Sequence, residues 1–236
     1  MAQGKTPERV APGVHRVDAV GFSNAISVLL IEGDDGFTLV DTGLGSSTGR
    51  IQGALAALGG KPEDLKRIYI THHHLDHIGG LPGMLEWTPD AEVMASEHEA
   101  EIISGTREPD PTSSSIFRFF SHYQKLPTAP MHRVVKEVDM VAGFRVIFTP
   151  GHTLGHTSLL RDEDGLLFTG DAFGAMVRRI RVGGFKAVCA DPPQAKRSAE
   201  RLLTEEFDTV VMTHGGTIHA GARRQLEEAV ARCNYA

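Results

Sequence analysis

Residues 66–80, KRIYITHHHLDHIGG, constrain the chain more than any other stretch. Ile68, Tyr69 and Ile70 read as the end of a short buried strand. Thr71 leads from it into four histidines and one aspartate within six residues. In extended backbone, residues two apart share a side. His72 and His74 can therefore face one ion together, whereas His73 points the other way and is not expected to be a ligand. Once the chain turns, Asp76 and His77 can face a second ion. Neutral imidazole and carboxylate suit zinc and other first-row divalent metals. The competing reading is a solvated histidine-rich loop, and a buried strand feeding the loop argues against it. Gly79 and Gly80 are expected to close the segment through backbone freedom.

Composition removes several alternatives. A chain of 236 residues fits one α/β domain with an ample core. Its net charge of −6 speaks against nucleic acid as a partner, because phosphate binding wants a basic face. Cys189 and Cys233 form no metal-like spacing and no disulfide framework, so a reducing cytoplasm is the default location. The opening MAQGKTPERVAPG lacks the apolar centre of a signal peptide. No run reaches the ~18 apolar residues of a membrane span, so no membrane partner is expected. The expected partner is a small-molecule substrate, with a homodimer left open.

Val14–Val17 and Asn24–Glu32 read as strands. Asp34-Asp35-Gly36 turns the second into Phe37–Val40. This hairpin ends in Asp41-Thr42-Gly43, where Asp41 taken alone reads as a turn residue. Residues 47–58 and 76–85 read as helices, 91–95 as a strand, and 96–103 as a helix capped by Ser96 with Glu99. Residues 105–131 are polar and irregular, then carry Phe117, Phe119, Phe120 and Tyr123. They form either a surface insertion or a lid and pocket wall. Strands over 134–138, 144–148, 158–161, 166–169 and 209–212 follow, with helices over 192–206 and 221–233. Three of these strands deliver a further candidate ligand: His152, Asp171 and His214. A strand end is the rigid platform that a metal site needs.

HxHxDH after a hydrophobic strand, followed in order by TPGHTLGH, LFTGDA and a strand ending in THGG, resembles the metallo-β-lactamase superfamily from about Gly13 to Ala231. The resemblance implies an α/β fold, the four-layer αββα sandwich of two mixed sheets flanked by helices. It implies one such domain over 1–236. It also implies that His72, His74 and His152 hold a first metal, that Asp76, His77 and His214 hold a second, and that Asp171 bridges them. Asp41 would lie behind the metals and orient ligands, and His156 would support the site without ligating. Two zinc ions are the implied cofactors, with iron or manganese acceptable to the same donors.

The chemistry implied is hydrolysis by a metal-bridging hydroxide attacking an ester, lactone or thioester carbonyl, with Asp76 and Asp171 catalytic. The wording of the motifs is nearest to small metallo-hydrolases of the glyoxalase II and lactonase branch. The chain ends about 22 residues after His214, without the helical region expected for glutathione thioesters, and Asp171-Ala172-Phe173-Gly174 lacks the tyrosine expected of homoserine-lactone hydrolases. Hydrolysis of β-lactams or acyl-homoserine lactones is one alternative. A mononuclear iron oxygenase acting on thiols or persulfides is another. Arg178, Arg179, Arg181 and Lys186 are either a solvated basic loop or a seat for an anionic group on the substrate, and His219 is a candidate pocket residue.

Overall fold

The computed structural model describes residues 6–115, 125–176 and 179–235. The chain gathers into two compact units, Met1–Arg107 with Leu126–Val135, and Glu108–Lys125 with Lys136–Ala236. The aromatics Phe117, Phe119, Phe120 and Tyr123, expected in an insertion or lid, lie outside the described residues, as does Arg178. Among the described residues, no helix is long and apolar enough to cross a membrane.

The first unit is built on a seven-stranded sheet in sequential order: β1 (Glu8–Ala11), β2 (Val14–Asp18), β3 (Ser27–Gly33), β4 (Gly36–Val40), β5 (Leu65–Tyr69), β6 (Glu92–Ser96) and β7 (Arg133–Val135). Strands β1 to β4 pair antiparallel, because short turns join them. Strands β4 to β7 pair parallel, because helices cross between them. Those helices are α1 (Thr48–Ala57), α2 (Leu75–Ile78), α3 (Leu81–Trp87) and α4 (Glu97–Ile103). Leu30, Leu39, Ile68 and Val93 join Ile51, Leu55, Met84 and Ile103 in one core. The alternate residues Leu29, Val40, Tyr69 and Met94 are equally buried, so both faces of the central strands are covered. The candidate metal-ligand segment 72–77 leaves the C-terminal end of β5, where such sheets place their ligands.

The second unit holds a six-stranded sheet in the order β15-β14-β11-β10-β9-β8. Its strands are β8 (Met140–Val141), β9 (Phe144–Phe148), β10 (Thr157–Arg161), β11 (Leu166–Phe168), β14 (Thr209–Met212) and β15 (Gly216–Ile218). Strand β10 runs antiparallel to both β9 and β11, and β14 runs parallel to β11. Strands β9, β11 and β14 therefore point the same way, and His152, Asp171 and His214 leave one edge of the sheet. Helices α5 (Pro192–Leu202) and α6 (Ala222–Ala231) cover Ile147, Leu160, Leu167 and Val210 through Ala195, Ala199, Leu202 and Leu226. A separate hairpin, β12 (Phe173–Met176) with β13 (Arg179–Val182), replaces the basic loop that the sequence suggests.

Several boundaries differ from the sequence reading for local reasons. The helix expected over 76–85 is broken into α2 and α3 at Gly79-Gly80. These glycines have φ of −59° and −80°, which any residue adopts, so conformational freedom is not their purpose. A Cβ on Gly80 would lie 2.3 Å from the Thr42 carbonyl oxygen. The close approach of the Thr42–Leu44 loop is what requires glycine there. Strand β3 starts at Ser27, because Asn24 has φ +66° and Ala25 N–H donates to Phe22 O in a turn. Ser96 occupies the N-cap position of α4 without a side-chain cap bond, and Glu99 is turned inward to His73.

Two outcomes follow from this packing. Gly80 is the N-cap of α3, where alanine brings no helix-propensity gain, and a backbone clash of this kind costs roughly 1–3 kcal/mol. A lower denaturation midpoint is expected, and a higher one refutes the close-approach account. Burial first, then the charges of Asp171 and Cys233, pushes the Cys189 thiol up to about 12. Its thiolate is then present at only ~10⁻⁴ at pH 8. Iodoacetamide should leave Cys189 unmodified in the native protein and modify it on denaturation, as peptide mass mapping would read.

Candidate metal centre

Four of the expected ligands converge in the first unit. The His72 ring centroid lies 4.7 Å from that of His74 and 3.9 Å from that of His77, and His77 Nε2 is 4.0 Å from Asp76 Oδ2. Behind them sits Asp41, fully buried and held at φ +60°. Aspartate tolerates this left-handed conformation better than most residues. Its carboxylate accepts from Thr71 N–H at 2.8 Å, from the Thr71 hydroxyl at 2.8 Å and from His77 Nδ1 at 2.8 Å.

These contacts fix the protons. A carboxylate only accepts, so the single Thr71 hydroxyl proton and the His77 Nδ1 proton both point to Asp41. The Thr71 oxygen must then accept from His72 Nδ1, 3.1 Å away. His72 and His77 therefore both turn an Nε2 lone pair outward, as metal ligation requires. The neighbouring Thr42 holds the His77 carbonyl through its N–H at 2.7 Å and its hydroxyl at 2.8 Å. The DTG loop thus orients the rings of two candidate ligands, His77 directly and His72 through Thr71. His73 is turned away into a buried pair with Glu99, which accepts from both His73 N–H at 2.8 Å and Nδ1 at 2.6 Å.

The remaining three ligands converge in the second unit. Asp171 Oδ2 is 3.4 Å from His152 Nε2 and 3.4 Å from His214 Nε2. His152 Nδ1 donates to the Gly183 carbonyl at 3.2 Å, which leaves a lone pair on Nε2 facing the Asp171 carboxylate. The loop bearing His152 is held by Ala190 N–H to His152 O, Asp191 N–H to Gly151 O and the Ser198 hydroxyl to Pro150 O. A Cβ on Gly151 would lie 2.1 Å from Ala195 N, so only glycine lets the loop rest on α5.

His156 has both ring nitrogens engaged. Asp171 N–H donates to its Nε2 at 2.9 Å, so Nδ1 carries the proton and gives it to the Thr149 hydroxyl at 2.8 Å. That hydroxyl donates onward to Ser158 Oγ at 3.0 Å, and Ser158 donates to Thr169 O at 3.0 Å. His156 is a support for Asp171. It also explains Gly170, which has φ +51° and whose Cβ would lie 2.8 Å from His156 Nε2.

The donor set fits a metal ion. Where His152 and Asp171 meet, two acceptors lie 3.4 Å apart in a nearly water-free position. A cation relieves that repulsion. Sequence reasoning missed Glu99 as the partner of His73 and the Gly183 carbonyl as the partner of His152. Glu99 carries only its capping spacing as a signal, and a backbone carbonyl carries none. His219 is exposed beyond β15.

A family model described as the metallo-beta-lactamase superfamily matches residues 23–218. The uncharacterized protein YobT of Bacillus subtilis is 30% identical over 214 residues, spanning 86% of this chain and 88% of that protein. The probable metallo-hydrolase YflN of the same organism is 32% identical over 179 residues, spanning 69% of this chain and 64% of that protein. Among solved structures, a motif mutant of the metallo-beta-lactamase from Cronobacter sakazakii has a TM-score of 0.71 at 25% identity, covering 96% of this chain and 94% of its own. These likenesses show the αββα fold that the sequence motifs imply.

Asp41→Asn places an amide N–H₂ where a donor already stands, or frees one of the ligand rings. Loss of such an orienting partner typically weakens metal binding by about 10–100-fold. Zinc competition against a chromophoric chelator should show that loss, and an unchanged affinity refutes the role given to Asp41.

Proposed function

Because the chain belongs to the metallo-beta-lactamase superfamily and is a metal-dependent hydrolase of that fold, we propose that it works with two divalent metals, zinc foremost, on a small-molecule ester, lactone or thioester. In this reading His72, His74 and His152 hold one metal, Asp76, His77 and His214 the other, and Asp171 bridges. The observation that carries it is the fixed set of lone pairs. Asp41 and Thr71 set the tautomers of His72 and His77, and Gly183 O sets that of His152.

When bound, such metals supply a Lewis acid for the carbonyl oxygen and a water whose pKa is lowered towards ~7. The chain's residues do the rest. Asp41 takes up the positive charge that ligation spreads onto the His77 Nδ1–H. His156 holds the Asp171 backbone through a hydrogen bond, so the carboxylate keeps its aim. Asp76, partly buried with its Oδ2 4.0 Å from His77 Nε2, is the carboxylate placed to accept a proton as the tetrahedral species collapses. The net charge of −6 favours a small molecule over nucleic acid as the partner.

The test is Asp171→Ala beside the parent protein, with metals counted by mass spectrometry and initial rates taken on aryl esters, lactones, thioesters and nitrocefin. The variant should lose at least one metal, and turnover should fall by about 10³-fold or more. Two metals with retained turnover would sink the bridging role. One iron per chain with oxygen consumption on a thiol would replace hydrolysis with oxygenation.

A further inference from the structure

The β12–β13 hairpin starts two residues after Asp171, and its two faces differ in character. Opposed residues of an antiparallel pair share a face, and faces alternate along each strand. Phe173 opposite Val182 and Ala175 opposite Ile180 form the inner face, packed into the core of the second unit. Arg181, opposite Gly174, lies on the outer face with Arg179. Both arginines are exposed.

This outer face adjoins a candidate ligand. Ala175 N–H donates to His214 O at 2.6 Å, and a Cβ on Gly174 would lie 3.6 Å from the His214 Cβ. The same Cβ would lie 3.5 Å from the Gly184 Cα, so glycine lets the hairpin, His214 and the segment after β13 pack closely here. The cations are also placed in advance. The Arg181 guanidinium carbon is 5.5 Å from the Phe185 ring centroid, and Lys186 Nζ is 5.9 Å from that of Tyr235. The Tyr235 hydroxyl donates to Val182 O at 2.9 Å, which anchors that ring on β13. Aromatic faces hold cations without neutralising them.

A solvated basic surface is the ordinary alternative, and place in the chain rather than acid pairing alone discriminates between the two, because among the described residues Lys196, Arg197, Arg223 and Arg224 of the same unit also make no ion pair. In the same unit Arg145, Arg161 and Arg201 are each matched to carboxylates. Among the described residues, Arg179, Arg181 and Lys186 make no ion pair, although the chain carries more acidic than basic side chains, 30 against 24. Arg181, on the hairpin packed against His214, and Lys186, shortly after it, are unmatched and held on rings, which suits an anion brought by the substrate. Arginine pairs bidentately with phosphate and carboxylate alike.

We propose that Arg179, Arg181 and Lys186 form a seat for an oxyanion group, phosphate or carboxylate, carried by the ester or thioester away from its scissile carbonyl. The proposal rests on the hydrolase reading above, and the substrate class it names is an anionic acyl ester or thioester. Water adds across the acyl C–S or C–O bond, giving the acid and the thiol or alcohol, while the anion stays on the seat.

The experiment uses three thioesters of one acyl group: on neutral N-acetylcysteamine, on coenzyme A, which bears phosphates, and on 3-mercaptopropionate, which bears a carboxylate. Each is assayed with metal-loaded protein and with the Arg179→Gln, Arg181→Gln double variant. KM for the anionic substrate should rise by about tenfold or more relative to any change for the neutral one, as loss of charged hydrogen bonds predicts. In the parent protein that KM should also rise with salt. The arm that responds identifies the anion. Equal effects on neutral and anionic substrates, or no effect on either, overturn the proposal. Calorimetry with non-hydrolysable thioethers of coenzyme A and 3-mercaptopropionate separates the two readings. Binding by the parent that the double variant loses, with every thioester left intact, keeps the seat and overturns the hydrolase. No thioether binding by the parent overturns the seat.

Discussion

One buried carboxylate sets the state of two histidines of the candidate metal centre, His72 and His77. Asp41 accepts from Thr71 twice and from His77 once, and through the Thr71 hydroxyl it also fixes His72. A buried carboxylate is costly unless it is well supplied with donors. Here the donors are the His77 ring and the N–H and hydroxyl of Thr71, just past the strand that delivers the histidines. Satisfying Asp41 and aiming the histidines are therefore the same act. The left-handed conformation of Asp41 belongs to that arrangement, because the surrounding bonds over-determine it.

The second unit solves the same problem by a different route. At His152 it is the Gly183 carbonyl that takes the Nδ1 proton. Asp171 is steadied from its backbone by His156, whose own proton runs through Thr149 and Ser158 to the Thr169 carbonyl. Every hydroxyl in that chain donates once and accepts once, so no member is left with a choice of partner. Both units thus expend buried polar groups on direction. Neither set would repay its desolvation by stability alone, since a net hydrogen bond contributes only ~1 kcal/mol.

The glycines of the ligand motifs serve closeness more than flexibility. Gly80, Gly151 and Gly170 stand where a Cβ would meet a carbonyl, a helix backbone or the His156 ring. Each lets a ligand loop rest on a rigid neighbour. The β12–β13 hairpin extends this from aim to selection, for its inner face joins the core and its backbone bonds His214, while its outer face carries arginines that make no ion pair. Chemistry and selectivity are thereby assigned to adjoining segments of chain, one rigid and dry, the other exposed.

What the sequence determined by itself is local and chemical. Residue type and spacing disclosed HxHxDH, the strand before it, the order of His152, Asp171 and His214, and the direction of His73, because a period of two is written in the chain. Most strands and helices could be read for the same reason. The tertiary structure decided what depends on partners distant in sequence. Asp41 reads alone as a turn residue and gains its role only from Thr71 and His77, which lie 30 and 36 positions away. Glu99 resembles a capping residue until burial turns it to His73, 26 positions back. The arginines after Asp171 read as a loop until pairing folds them into a hairpin whose other face is buried. Short-range geometry sets which groups can ligate, and long-range packing sets where their protons point.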